Sequence, residues 1–395
     1  MSIMFKSVNR VTSLSVGAAL LLGASAVHTA SAAPFMIVGN DEKVMWDGDG
    51  KVVLSAAGKD SVVIVDLANP ESPKIVATLP LKNSVVGPPV NVDIDPTGSV
   101  ALVADSVDVA KDGDALKQSL DNKVYVIDMK ANPPKLAGTV TAGKQPSGLS
   151  FSPNGKMALV ANRGDNSITV LSVNGTDVKV TDTIPMGDSV SQVVFTPDGK
   201  RALATKFTTH KLSVLDIAGD KVTYNKVDLM AGLWPYNVVV TPNGKLALTA
   251  DNGNAGSSDG SVDTVSVADL TQNPPRFIDR VVVGDGPEGI AMSPKGNLAA
   301  AAILRGSNMK NLFFHKKNGS VSILKIDGNK ITKTQDIEVG GLPEAVLFTP
   351  DGKYILVGNY IDSDFSILKV NGTKVTDTGK RFKVPGHPAS ARMGH

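Results

Sequence analysis

The 395-residue chain contains no cysteine. That excludes disulfide support, covalent haem attachment through thiols and a lipid anchor on an N-terminal cysteine. The chain also lacks any block of like charges, and its 40 basic residues nearly match its 38 acidic ones. A nucleic-acid binder needs a basic excess to displace phosphate counterions, so that partner class is excluded. No apolar stripe of period 3.6 persists, which argues against helices, and no apolar run approaches the roughly 20 residues of a spanning helix.

What is present begins with an address. Lys6 and Arg10 precede a small, apolar run around Val16 to Val27, and Ala30-Ser31-Ala32 follows. This is the three-part grammar of a secretory signal, with cleavage expected before Ala33, so residues 1–32 are set aside and 33–395 are expected to fold as one unit. Removing Lys6 and Arg10 leaves 38 basic and 38 acidic residues, a net charge of zero. The expected location is periplasmic or secreted, with no membrane anchor, and the expected state is a monomer.

The stretch Leu149 to Val173 reads as a strand, a Pro-Asn-Gly-Lys turn, a second strand, a polar loop and a third strand, and this cassette recurs. Its turn glycines are Gly50, Gly98, Gly155, Gly199, Gly244, Gly296 and Gly352, spaced by 48, 57, 44, 45, 52 and 56 residues. Seven copies of about 50 residues, rich in β-branched side chains and punctuated by Gly and Pro, point to four strands per copy, labelled A to D. The fold class is therefore all-β, a seven-bladed β-propeller of four-stranded antiparallel blades. Phe35 to Gly39 reads as the end of a strand D, Asp41 to Lys51 as a strand A with its turn, and Gly386 to Ser390 as the start of another strand A. One terminus is expected to complete a blade begun by the other, removing the open edges.

The pattern G-x-x-P-x-x-V-x-x-S/T-P-D/N-G-K followed by an ALVAN-like strand, best seen from Gly143 to Asn162 and from Gly284 to Ala302, resembles the YVTN family of propeller repeats. The resemblance covers essentially the whole mature chain and implies the fold, not an activity. Lactonase-type propellers are more distantly similar. They typically carry Pro-Arg-His at the start of certain A strands, where this chain has Pro146-Ser147-Gly148, Pro235-Tyr236-Asn237, Pro287-Glu288-Gly289 and Pro343-Glu344-Ala345.

Antiparallel order puts the Pro-x-Gly turns and the C-to-D turns on one face, called the bottom, and the B-to-C loops and D-to-A links on the other, the top. The insertions Ser106 to Asp121, Asn252 to Gly260 and Arg305 to Gly319 then share the top face, where function usually resides. The first residues of the innermost strands meet there: Glu42 and Lys43, Asn91, Ser147, Gln192, Tyr236, Asn237, Glu288 and Glu344. Loop residues Arg163, Lys206, His210, Arg305, His315 and Tyr360 lie on the same face. Glu42, Glu288 and Glu344 belong to consecutive blades, and carboxylates around a narrow channel need a cation, a basic partner such as Arg305 or a raised pKa. Calcium is the ion such oxygen ligands would suit, although no resident cofactor is required. Neither histidine has a second one at a ligand spacing.

The expected function is binding of a small molecule or a periplasmic protein on the top face, without catalysis of its own. The alternatives are a lactonase-like hydrolase or isomerase with Glu288 or Glu344 as base and Arg305 on the oxyanion, and an accessory protein of a quinone- or haem-dependent redox system.

Overall fold

The computed structural model describes residues 1–2 and 34–394, so the apolar run and cleavage point of the expected signal lie outside the described residues. Among the described residues, no helix is long and apolar enough to cross a membrane. Residues 34–394 form seven four-stranded antiparallel sheets and one two-stranded hairpin. The fold is a seven-bladed propeller. Its innermost strands, A of blades 1 to 7, are His387–Met393, Val92–Ile94, Pro146–Phe151, Val190–Phe195, Pro235–Val240, Pro287–Met292 and Pro343–Phe348.

Strand C of a blade is apolar at nearly every position because both of its faces are covered by neighbouring blades. Seven apolar clusters result, one at each junction. Between blades 3 and 4, for example, Leu159, Ile168 and Val170 pack against Val193, Ala204 and Leu215. Between blades 7 and 1, Leu356 and Phe365 pack against Met36, Val63 and Ala391.

The bottom turns explain the Ser/Thr-Pro-x-Gly signature. The Ser152 hydroxyl accepts from the Met157 amide at 3.0 Å and donates to the Met157 carbonyl at 3.0 Å, while the Gly155 amide donates to the Ser152 carbonyl. Thr196, Thr241 and Thr349 repeat the arrangement, and Asp95 replaces it in blade 2 by accepting from the Ser99 and Val100 amides. The glycine of each turn has φ near +68°, a left-handed conformation that side chains disfavour. In blades 3 to 7 it also faces the turn proline of the preceding blade: a Cβ on Gly155 would meet Pro96, and one on Gly296 would lie 2.9 Å from Pro242.

Two expectations about the ends are corrected. Phe35–Asp41 is strand B of blade 1, paired on one side with His387–Met393 and on the other with Ser61–Asp66. Asp41 to Lys51 is no strand A: it opens a top-face insertion whose hairpin, Val44–Trp46 with Val52–Leu54, turns at Gly50. The misreading came from Gly50, which sits in a tight turn of similar sequence. The blade count survives because blade 1 has no A-to-B turn; the two ends of the chain meet there instead. Ser106 to Asp121 also has more order than a loop, since strands B and C of blade 2 (Val100–Asp112 and Ala115–Asp128) run on as one long hairpin.

Closure by the C-terminal strand predicts a large cost for its loss. A chain ending at Val384 leaves Phe35–Asp41 as an open edge and uncovers Met36 and Val38, so its melting temperature should fall by about 10 °C or more. A melting curve within about 2 °C of the full chain would show that closure is dispensable.

Candidate functional site

Each innermost strand begins beside the end of its strand B, in the pairs Pro146↔Asn162, Val190↔Lys206, Pro235↔Asp251, Pro287↔Ile303, Pro343↔Asn359 and Pro388↔Asn40. An irregularity in the ladder follows close behind in each case. The residue next after that starting position therefore occupies the same level in every blade: Ser147, Ser191, Tyr236, Glu288, Glu344 and Ala389.

All are buried; in blade 2 the corresponding place is Val90, and Asn91, also buried, sits one residue below the ring. This ring sharpens the sequence reading. In blade 4 its member is Ser191, whose hydroxyl bonds the Tyr236 carbonyl at 2.8 Å, and not Gln192. Gln192 lies one residue further down and accepts from the Val238 amide at 2.5 Å. Asn237 likewise sits one residue below the ring. Glu42 is not on an innermost strand at all, but in the blade 1 insertion, where its amide donates to Asp60.

The ring surrounds a polar chamber. Glu288 and Glu344 are 4% and 3% exposed and occupy equivalent places on adjacent strands. Those strands approach closely because Gly289 has no side chain; a Cβ there would lie 2.0 Å from the Glu344 carbonyl oxygen. Burial first, offset in part by Arg163, raises the Glu288 pKa to about 8. Burial and then Glu288 hold the Glu344 carboxyl well above its usual range. Arg163, from the blade 3 B-to-C loop, stacks over Phe207 at 4.9 Å and Tyr236 at 5.5 Å from the ring centres.

The chamber is roofed. Gly87, in the link from blade 1 to blade 2, lies so close that a Cβ would be 2.7 Å from the Ser147 hydroxyl and 3.4 Å from Arg163 Nη1. Gly256 of the blade 5 insertion rests against the Tyr236 ring and hydroxyl. Around this space, polar atoms are buried without a protein partner: Asn91 Oδ1, Ser147 Oγ, Arg163 Nε and Nη1, and Glu344 Oε2. Burying such groups unpaired is costly.

The remaining candidates have structural tasks or stand elsewhere. Arg305 lies 3.6 Å from Glu338 at the outer side of blade 6; the cation that acts on Glu288 is Arg163. Tyr360 is fully buried, donates to the Val44 carbonyl at 2.6 Å and stacks on His387, which anchors the blade 1 insertion. Lys206 pairs with Asp228 at 3.2 Å and bonds the Tyr224 hydroxyl. His210 Nδ1 accepts from the Trp234 amide, and the His315 ring bonds the Gly306 carbonyl, so both hold loops. The three glutamates do not converge, and among the described residues no three His, Asp or Glu side chains are grouped to hold a metal ion.

Phe207, missed in the sequence, forms the wall beneath Arg163. Its only signal was position, directly after strand B of blade 4 on the top face. Lys43, named on the ring, instead lies wholly buried between Asp41 and Asp60 in the blade 1 insertion.

Comparison with known proteins agrees with the fold. A family model described as the choice-of-anchor I domain matches residues 42–227. No curated protein sequence matches the chain. Among solved structures, the chain is similar to a candidate 6-phosphogluconolactonase of Bacteroides fragilis (TM-score 0.69, 20% identity, 93% of this chain and 99% of that one). It is also similar to the periplasmic gluconolactonase of Pseudomonas aeruginosa (0.67, 17%, 92% and 99%). A third likeness is to hydrazine synthase of Kuenenia stuttgartiensis (0.56, 20%, 73% and 78%). At these identities the likeness shows the propeller and no more.

The buried carboxyls predict a pH dependence of stability. The folded chain holds a proton on Glu288 up to about pH 8, whereas an unfolded glutamate releases it near its ordinary 4.5. The folded state therefore binds more protons across that window, and stability falls as pH rises from about 5 to 8. Asp105 and Asp263, each raised by burial to about 7, and Asp251, raised by burial to about 6, add to the same slope. Glu288→Gln should melt close to the native chain at pH 5 and above it at pH 8.5. Parallel melting curves for the two proteins across pH would show that Glu288 titrates normally.

Proposed function

We propose that the protein is an exported propeller that binds a small polyhydroxylated molecule in the roofed chamber at the top of its channel. The observation that carries this reading is the set of buried, unpartnered polar atoms around the Glu288–Glu344 pair and Arg163. It mixes donors with acceptors: guanidinium N–H groups, an amide oxygen, a serine hydroxyl and a carboxyl. A ligand rich in hydroxyls satisfies both kinds at once, because each hydroxyl donates and accepts. The aromatic faces of Tyr236 and Phe207 supply an apolar wall of the sort that small-molecule sites use. Of the two partner classes, a small molecule is favoured over a protein because the unpartnered atoms lie inside the roof. Entry then requires the link carrying Gly87 or the insertion carrying Gly256 to move. The YVTN resemblance and the secretory grammar of residues 1–32 support a periplasmic or secreted location.

Glu288 favours a second reading, lactone hydrolysis. Its pKa of about 8 suits proton transfer near neutrality, and Arg163 stands where it could stabilise an oxyanion. The similarity to gluconolactonases lends this reading weight, whereas the absence of Pro-Arg-His from the A strands counts against it.

Titration calorimetry with an aldose, an aldonate and an aldonolactone tests the first reading. One of these should bind, and Arg163→Ala should weaken it by about tenfold or more. Failure of all three to bind would overturn the reading. Following aldonolactone hydrolysis by pH-stat tests the second: turnover that Glu288→Gln abolishes supports catalysis, and turnover that it leaves unchanged removes Glu288 from the mechanism.

A further inference from the structure

Below the ring the channel holds a cavity of about 560 Å³ that extends to the turns of the bottom face. Its mouth is framed by the turn prolines, among them Pro96, Pro153, Pro242 and Pro350, and its lower wall includes Phe151, Phe195, Met292 and Phe348. A cavity of this size fits a small-molecule ligand.

Its lining is unequal around the axis. At the position just before the Phe151-type residue, blades 4 to 7 contribute Val194, Val239, Ala291 and Leu347, whereas blades 1 and 2 contribute Arg392 and Asp93. Arg392 Nε donates to Asp93 Oδ1 at 2.7 Å, and the other Asp93 oxygen accepts from the Phe151 amide at 2.8 Å. Each Asp93 oxygen thus accepts one hydrogen bond from the protein. The Arg392 side chain is 38% exposed, and among the described residues its terminal nitrogens donate to no protein group. At the inner end stands Asn237, 1% exposed, with neither amide atom partnered. Asn237 lies two residues above Val239 along its strand, roughly 7 Å higher than the Arg392 level.

We propose that this lower cavity binds a small amphipathic carboxylic acid. The carboxylate sits on the terminal nitrogens of Arg392, and the apolar body runs past Val239, Ala291 and Phe348 towards the proline mouth. A carboxylate is the head group that matches, because a guanidinium offers paired donors in the geometry of its two oxygens. The free terminal N–H groups of Arg392 are donors only, so they match an acceptor head and give a cationic head nothing to donate to. The site is independent of the top chamber and uses none of its residues.

Calorimetry with decanoate, decanol and decylamine on the full chain, below their aggregation concentrations, decides the matter. Decanoate should bind one to one, decanol more weakly and decylamine not measurably. Arg392→Gln should weaken decanoate by about tenfold or more while leaving decanol within about twofold. Because Arg392 also ties blade 1 to blade 2, a second variant is needed. Ala291→Phe fills the apolar side and should abolish binding of both decanoate and decanol. Exposed Lys374→Gln, on the C-to-D turn of blade 7, should change nothing. No decanoate binding to the native chain, equal decanoate affinity in Arg392→Gln, or undiminished affinity in Ala291→Phe would each overturn the proposal.

Discussion

Every blade of this protein has two apolar faces and no means of covering either by itself. The molecule depends on that constraint more than on any single bond. Leu159 in blade 3 and Val193 in blade 4 are buried only because each supplies the other's surroundings, and the same is true at all seven junctions. A ring satisfies the requirement for every blade, and an open row would leave two faces and two edges bare. Hence the last strand, His387–Met393, must return to pair with the first, Phe35–Asp41.

Within that frame the repeat divides labour along its length. The Ser/Thr-Pro-x-Gly turn closes its own hydrogen bonds and stacks on the preceding blade, so its chemistry is internal. The asparagine ending the ALVAN-like strand is also internal: Asn162 donates to Ser167 and Thr169, and Asn359 to Asp364 and Ser366. In blade 4 the residue at that place is Lys206, which has Asp228 and Tyr224 as its own partners. The residue after the leading proline has no such duty in blades 6 and 7, and there Glu288 and Glu344 face the axis together.

The propeller, its blade number and the top-face grouping of Ser147, Arg163, Tyr236, Glu288 and Glu344 were legible in the sequence, because a repeat fixes which positions are equivalent. What misled was anything that breaks the repeat. Gly50 imitates a blade turn inside an inserted hairpin, which displaced Glu42 and Lys43 onto the wrong strand. The ladder irregularity near the start of each strand A shifted blade 4 by one residue, so that Gln192 stood in for Ser191. Arg305 was paired with Glu288 from shared face alone; the face carries several insertions, and only three-dimensional packing says that Arg163 is the cation near Glu288. Covalent order reveals equivalence between blades, but not which side chains cross from one to another.

The junction between strands A and B of blade 1 is held by ladder hydrogen bonds and buried side chains, with no peptide link, whereas the other six blades have a four-residue turn at the same place. The protein thus carries its own demonstration that this turn can be cut. Linking residue 394 to residue 34 and opening the chain at Asn154-Gly155 or Asp198-Gly199 would yield circular permutants with the same blades in the same order around the ring. The starting point of the gene is in this sense arbitrary with respect to the fold, and the seven blades differ in their history as sites, not in their rank as structure.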